Sequence, residues 1–223
     1  MKVTGKNIVI TGGASGIGKA LAERFHAEGA KSITVADLSE APLQAVAASV
    51  DGLAVVCNVG KEEDILNLIA KAEAAYGDID IFVSNAGLAR YGWEETPNDI
   101  WQLNWDVHVM AHVYAARALA PKMASRGEGY LINTASAAGL LSQIDSATYA
   151  VTKHAAIAFA ETMSIRYGDK GVRVSVLCPQ QVRTGMTEGR LAAVASVDGT
   201  LEPEELADCV METMDREDFL ILP

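Results

Sequence analysis

NIVITGGASGIG, residues 7–18, sets an apolar, β-branched run directly against a glycine-rich turn and the start of an alanine-rich helix. In a strand–turn–helix of this kind, backbone amides can approach a pyrophosphate at the helix N-terminus, where unpaired N–H groups and the helix dipole favour negative charge. Gly12, Gly16 and Gly18 supply the turn, with Ser15 and Ile17 between them. Asp37 closes the next apolar run, SITVAD (32–37). It falls about 20 residues after the glycines, where a carboxylate can accept hydrogen bonds from the ribose diol of an adenosine. Taken singly, Asp37 could be a strand-end turn former and the glycines an ordinary tight turn. Strand, turn, helix and acid in that order favour dinucleotide binding. Asp37 would repel a 2′-phosphate, and neither Ser15 nor Leu38 offers one a cation, so NAD is expected ahead of NADP.

The same alternation continues outward. Strands are predicted at LAVVCN (53–58), IDIFVSN (79–85), GYLINTAS (129–136), VRVSVLCP (172–179) and, more weakly, FLILP (219–223). Helices fill 16–28, 40–49, 61–76, 97–123, 147–167 and 203–215. Thr96, followed by Pro97 and Asp99, has the composition of a capped helix start. The pattern predicts an α/β fold: a doubly wound parallel sheet of about seven strands with helices on both faces. One domain spans 1–223, with a cofactor half over about 1–90 and a catalytic and substrate half over about 91–223. The longest irregular stretch runs from Gln180 to about Glu202, and its Thr184, Gly185, Met186 and Gly189 suit a cover that orders over bound ligands. Ending on the apolar FLILP leaves an unfinished edge and predicts a further C-terminal tail.

With 223 residues, half of them hydrophobic, the chain can bury a large core. Its formal net charge of −11, without a basic patch, argues against nucleic-acid and membrane partners. Cys57, Cys178 and Cys209 are scattered, without CxxC spacing, which argues against disulfides and a thiolate metal site and fits a reducing cytoplasm. No apolar run at the N-terminus suggests a signal peptide, and none is long enough to suggest a membrane span.

Tyr149 and Lys153, in YAVTK, share one helix face at i, i+4, and Ser136 ends the preceding strand. A phenol with an ordinary pKa of about 10 becomes an acid–base group near neutrality if cations stabilise its phenolate. Lys153 and an oxidised nicotinamide would be such cations. TGGASGIG, the NAG of Asn85, Ala86 and Gly87, Ser136 and YAVTK together resemble the short-chain dehydrogenase/reductase family over nearly the whole chain.

The resemblance implies a single Rossmann-type domain, NAD(P) as hydride carrier, a small alcohol or ketone as substrate, and commonly a homotetramer or homodimer built on the helices at 97–123 and 147–167. It makes Tyr149 the group that exchanges the proton with the substrate oxygen. Lys153 lowers its pKa and holds ribose hydroxyls, and Ser136 orients the carbonyl. Asn85, Ala86 and Gly87 border the cofactor, and Ile17 lies on the nicotinamide side. At three positions the chain departs from the family pattern. Asn58-Val59 replaces an Asp-Val that contacts adenine, although an amide oxygen can accept the same bond. Gln180 replaces a glycine after Pro179, while Val182 and Thr184 match the positions that meet carboxamide and phosphate.

The third departure is DVHV, which puts His108 where the family carries an asparagine that holds a water hydrogen-bonded towards the lysine. His108 and His112 have the i, i+4 spacing of a helical metal pair, but HVMAH lacks the glutamate of HExxH and a third ligand, so no metal is expected. Core packing and a titratable place beside the proton path remain as readings of His108. The departures also keep a second class open, a dinucleotide-binding sensor or scaffold with lost or weak turnover.

Overall fold

The computed structural model describes residues 1–188 and 199–223; Gly189 of the expected cover lies outside the described residues. Seven strands form one sheet: β1 (Asn7–Thr11), β2 (Ser32–Asp37), β3 (Leu53–Val56), β4 (Ile81–Ser84), β5 (Gly129–Thr134), β6 (Val172–Leu177) and β7 (Leu220–Ile221). Their order is β3-β2-β1-β4-β5-β6-β7, and every pair is parallel. FLILP contributes only the two residues that pair with Val176 and Leu177.

Alternation along the strands divides the core in two. Ile8, Ile10, Ile81, Val83 and Ile132 point to one face and meet Leu21 and Phe25 of α1 (Gly16–Ala27), Leu43 of α2 (Glu40–Ser49), and Val210 and Met214 of a late helix (Pro203–Arg216). Val9, Phe82 and Leu131 point to the other and meet Leu68 of α3 (Glu62–Tyr76), Leu119 of α5 (Ala111–Arg126) and Ala156 of α6 (Ala147–Tyr167). Burial on both sides is why these strands read as nearly continuous apolar runs.

From β1 the chain builds outward through β2 and β3 on one side, then crosses back from β3 to place β4 on the other side of β1, so a crevice opens at the C-terminal ends of β1 and β4. Asn85, Ser136 and Pro179, expected within strands, lie just past β4, β5 and β6 and turn into that crevice.

The helix expected at 97–123 is longer and interrupted. α4 (Asn98–Trp105) passes through a π-turn, Asp106–Met110, into α5. A π-turn spaces its hydrogen bonds one residue wider than an α-helix and so rotates the side chains that follow it. Thr96 does not cap α4: Pro97 occupies the cap position with no side-chain bond, and Thr96 instead packs on the bare Cα of Gly92. Among the described residues, no helix is long and apolar enough to cross a membrane.

Candidate active site

A cavity of about 700 Å³ occupies the crevice. At one end lies the glycine turn. Gly12 has φ +66°, and a Cβ there would stand 2.8 Å from the Ala86 Cα, so the backbone pair is open only because Gly12 is bare. Gly18 is not in the wall; a Cβ on it would overlap the Gly12 carbonyl, so it serves the packing of α1 on the turn. Gly12, Ser15, Gly16 and Ile17 do line the cavity. Ser15 stands at the N-cap without a side-chain capping bond, and the first-turn amides of α1 have no helical acceptor. Asp37 lines the same cavity; its carboxylate accepts from the amides of Ala14 at 3.2 Å, Leu38 at 2.7 Å and Ser39 at 3.2 Å. A bare glycine cradle, open helix amides and an acid in one cavity fit a dinucleotide.

Three residues expected at this end do not line the cavity. Leu38 is 66% exposed and outside the wall. The Asn58 side-chain oxygen accepts from the Gly60 amide at 3.1 Å, bracing a turn, and Val59 is buried in the core.

At the centre, Asn85, Ala86 and Gly87 form a wall held by β1: the Asn85 and Ala86 amides donate to the Thr11 hydroxyl at 3.0 and 3.2 Å, and the Asn85 side chain donates to the Thr11 carbonyl at 3.1 Å. Opposite stand Ser136, Tyr149, Lys153, Pro179, Val182 and Thr184.

Ser146 caps α6 by accepting from the Tyr149 amide at 3.2 Å, which fixes the first turn from which Tyr149 projects. One turn on, Lys153 is only 3% exposed, donates to the Thr134 carbonyl at 3.1 Å, and places its ammonium 5.5 Å from the centre of the Tyr149 ring. Ser136 accepts from the Ala138 amide at 3.2 Å. Burial pushes the Tyr149 phenol up to about 12, opposed by a hydrogen bond with Ser136. Burial also brings the Lys153 ammonium down to about 8. Desolvation of the phenolate is the largest of the influences on Tyr149.

His108 lies behind the wall, fully buried. Its Nδ1 is 2.9 Å from the Thr152 hydroxyl, its Nε2 is 3.1 Å from the Leu88 carbonyl, and its ring meets Tyr149 edge-on with centroids 5.3 Å apart. Burial first, then Lys153 and His112, pushes its pKa down to about 2. The expected titratable neighbour is therefore a neutral brace holding Tyr149, Leu88 and α6 together. His112, also buried, is pushed down to about 3 by burial and then Lys153. Among the described residues, no three His, Cys, Asp or Glu side chains converge as metal ligands.

Beyond the cofactor set, Leu88, Tyr91, Gln143, Gln180 and Met186 line the cavity, whereas Trp93, Ala138, Leu140 and Leu141 do not. Asp145 and Gln181 also line it and were not anticipated; a polar residue in an irregular segment carries no periodic signal of which way it faces.

A family model for short chain dehydrogenase matches residues 6–195. A 1-deoxy-11-beta-hydroxypentalenate dehydrogenase of Streptomyces exfoliatus is 36% identical over 224 residues, covering 96% of this chain and 81% of the relative. Among solved structures, a short chain dehydrogenase/reductase from Burkholderia phymatum in complex with NAD superposes with a TM-score of 0.91 at 29% identity, covering 100% of this chain and 90% of that one. L-sorbose reductase from Gluconobacter frateurii, complexed with NADPH and L-sorbose, gives 0.87 at 30% identity, covering 96% and 91%.

Proposed function

The chain belongs to the short-chain dehydrogenase family and is an NAD(P)-dependent oxidoreductase of CH–OH groups, and on that premise we propose that it is an NAD-dependent enzyme that interconverts a secondary alcohol and its ketone with Tyr149 as the proton donor and acceptor. One observation carries this reading: Ser136, Tyr149 and Lys153 open onto the cavity whose other end presents Asp37 and the bare glycine turn.

A nicotinamide bound there would take or give the hydride at the carbinol carbon. The chain's residues do the rest. Gly12, Ser15, Gly16 and Ile17 would hold the pyrophosphate side. Asp37 would accept from the adenosine ribose hydroxyls, and its charge would oppose a 2′-phosphate. Pro179, Val182 and Thr184 would border the nicotinamide half with Asn85, Ala86 and Gly87. Ser136 would donate to the substrate oxygen while Tyr149 gives or takes the proton at that oxygen. Lys153 would favour the phenolate through its nearby charge.

Leu88, Tyr91 and Met186 line the cavity beyond Tyr149, supporting a substrate whose non-reacting part is apolar. Leu103 and Trp105 on α4, and Val151 and Ile165 on α6, are exposed apolar side chains that support a homodimer or homotetramer. Free Cys57 and Cys178, both buried, fit a reducing cytoplasm. The test is reduction of NAD and of NADP across a panel of secondary alcohols with apolar bodies, alongside their dissociation constants. Turnover with NAD preferred is expected. Tight NAD binding with no turnover of any alcohol or ketone would make the protein a dinucleotide sensor instead.

A further inference from the structure

Among the described residues, three charged side chains line the cavity: Asp37, Lys153 and Asp145. Two of them are accounted for. Asp37 takes the amides of its own turn and the glycine loop, and Lys153 is buried against β5 beside Tyr149. Asp145 stands four residues before Tyr149, is exposed to solvent, and makes no hydrogen bond or ion pair with the described residues.

Asp145 belongs to no helix or strand, yet its place is fixed by its neighbours. Ser146 is fully buried, and its hydroxyl accepts from the Gly92 amide at 3.1 Å as well as from Tyr149. The Ala147 and Thr148 amides donate to the Gly92 carbonyl at 2.9 and 3.2 Å. Asp145 is thereby held on the wall, its Cα no more than about 14 Å from that of Tyr149, the span of four extended residues. A small molecule can bridge that distance.

The wall nearby carries no other carboxylate. Gln143 precedes Asp145 on the same segment, and Leu88 and Tyr91 come from the segment after β4. Tyr91 packs edge-on against the Tyr149 ring, with centroids 5.5 Å apart. A substrate that covers Asp145 strips water from the carboxylate, and a body without a donor there leaves a desolvated charge unpaired, which is costly. An ammonium group reverses the balance. It donates a charge-assisted hydrogen bond to the carboxylate, and an aromatic ring on the same wall adds to its attraction.

We propose that Asp145 is a specificity-determining residue that accepts a hydrogen bond from a protonated amine at the far end of the substrate's apolar body, so that the preferred substrate is a secondary alcohol or ketone that also carries an amine. The inference rests on the assignment of Ser136 and Tyr149 to the carbinol oxygen. An acid just before a helix also favours the helix dipole, and that role predicts an effect on stability alone.

The probes are phenyl methyl carbinols and the matching ketones, substituted at the para position with aminomethyl, ethyl or carboxylate, similar in size and different in charge. The carbinols are compared by kcat/KM with NAD, and the ketones by dissociation constants from the NAD-loaded protein, which has no hydride to give them. The amine should exceed the ethyl compound by about tenfold or more in both measurements, with the carboxylate poorest. Asp145→Asn should bring the amine-to-ethyl ratio to about one and improve the ethyl compound, and Asp145→Lys should favour the carboxylate. An amine no better than the ethyl or carboxylate probe, a ratio unmoved by Asp145→Asn, or no binding of any ketone overturns the proposal. So does a variant with a lower melting temperature that weakens all three probes alike, which leaves Asp145 to the helix dipole. If the variants fail to fold, a crystal structure with NAD and the amino ketone decides: the ammonium is expected within hydrogen-bond reach of the Asp145 carboxylate, and its placement elsewhere overturns the proposal. Selective binding of the amino ketone without oxidation of any carbinol keeps the role of Asp145 and counts instead against the proton transfer assigned to Tyr149.

Discussion

Asp37 and Lys153 line the same cavity, yet their charges are held in different ways. Asp37 sits at a strand end and accepts from three backbone amides within its own turn and the glycine loop. Lys153 is 3% exposed, reaches one carbonyl on β5, and has its pKa brought down by burial to about 8. A charge satisfied by local backbone is a binding element whose loss stays local. A desolvated charge is a protonation element, and every group packed near it shares in its titration.

If the contrast holds, changes at the reacting end alter chemistry and changes at the Asp37 end alter affinity. The largest effect expected is from Tyr149→Phe, which keeps the ring and removes the proton. Turnover should fall by about a thousandfold or more while the NAD dissociation constant stays within about twofold. Stopped-flow hydride transfer and calorimetry separate the two, and a variant losing affinity and rate together would break the comparison.

Acid should unfold the protein through the same buried region. His108 and His112 have folded pKa values of about 2 and about 3. Unfolded histidines titrate near 6.5, so below that pH the unfolded chain binds more protons. Stability is full above about pH 6.5 and is lost as pH falls towards 3, by up to about 1.4 kcal/mol per unit for each histidine. Urea unfolding between pH 4 and 7 should show the combined slope, and His112→Leu should remove about half of it. An equal slope in that variant would mean carboxylates carry the acid lability.

At the other end, Asp37→Ala should narrow the preference for NAD(H) over NADP(H) by about tenfold or more, the worth of a charged hydrogen bond, with the Tyr149-dependent step intact. Dissociation constants for both cofactors check this, and an unaltered ratio would place the discrimination elsewhere. The smallest effect belongs to Asn58→Ala. Its amide oxygen is engaged by Gly60 outside the cavity wall, so NAD affinity should weaken by no more than about threefold. A tenfold loss would show that this turn reaches adenine.

The cofactor end was the more legible in sequence, for the same reason that it is local. Strand, glycine turn, helix and Asp37 are read along one short segment, and β1, β2, α1 and α2 fall within a residue of their predicted bounds. YAVTK likewise declares its face because its residues share a helix. The π-turn was invisible: Val107, His108, Val109 and Ala111 keep an apolar rhythm whether or not one extra residue enters the turn. Thr96 was misread because Pro97 can begin a helix without help from a hydroxyl. The phenol and imidazole shifts at Tyr149 and His108 were out of reach, since desolvation depends on residues brought in from α4 through α6 and β4 through β6. Leu38, Asn58 and Val59 adjoin strand ends but are not among the residues that line the cavity, and the sequence of a short loop does not encode which of its residues do.

Past Pro179 the chain passes Gln180 and Gln181, then Val182 bridges in parallel to Leu201; Arg183 donates its amide to the Leu201 carbonyl at 2.9 Å, and the Leu201 amide returns to Gln181 at 3.0 Å. Arg183 and Glu202 add an ion pair at 2.6 Å across the same junction. Residues 181–183 and 201–202 are thereby held to one another beside the cavity that Gln181 and Val182 line. Doubling the length of a clamped loop costs only about 0.6 kcal/mol in closure entropy. This junction is where a segment from another enzyme could be grafted to change which alcohols are admitted, leaving the sheet, Asp37 and the Tyr149–Lys153 helix as an unaltered chassis.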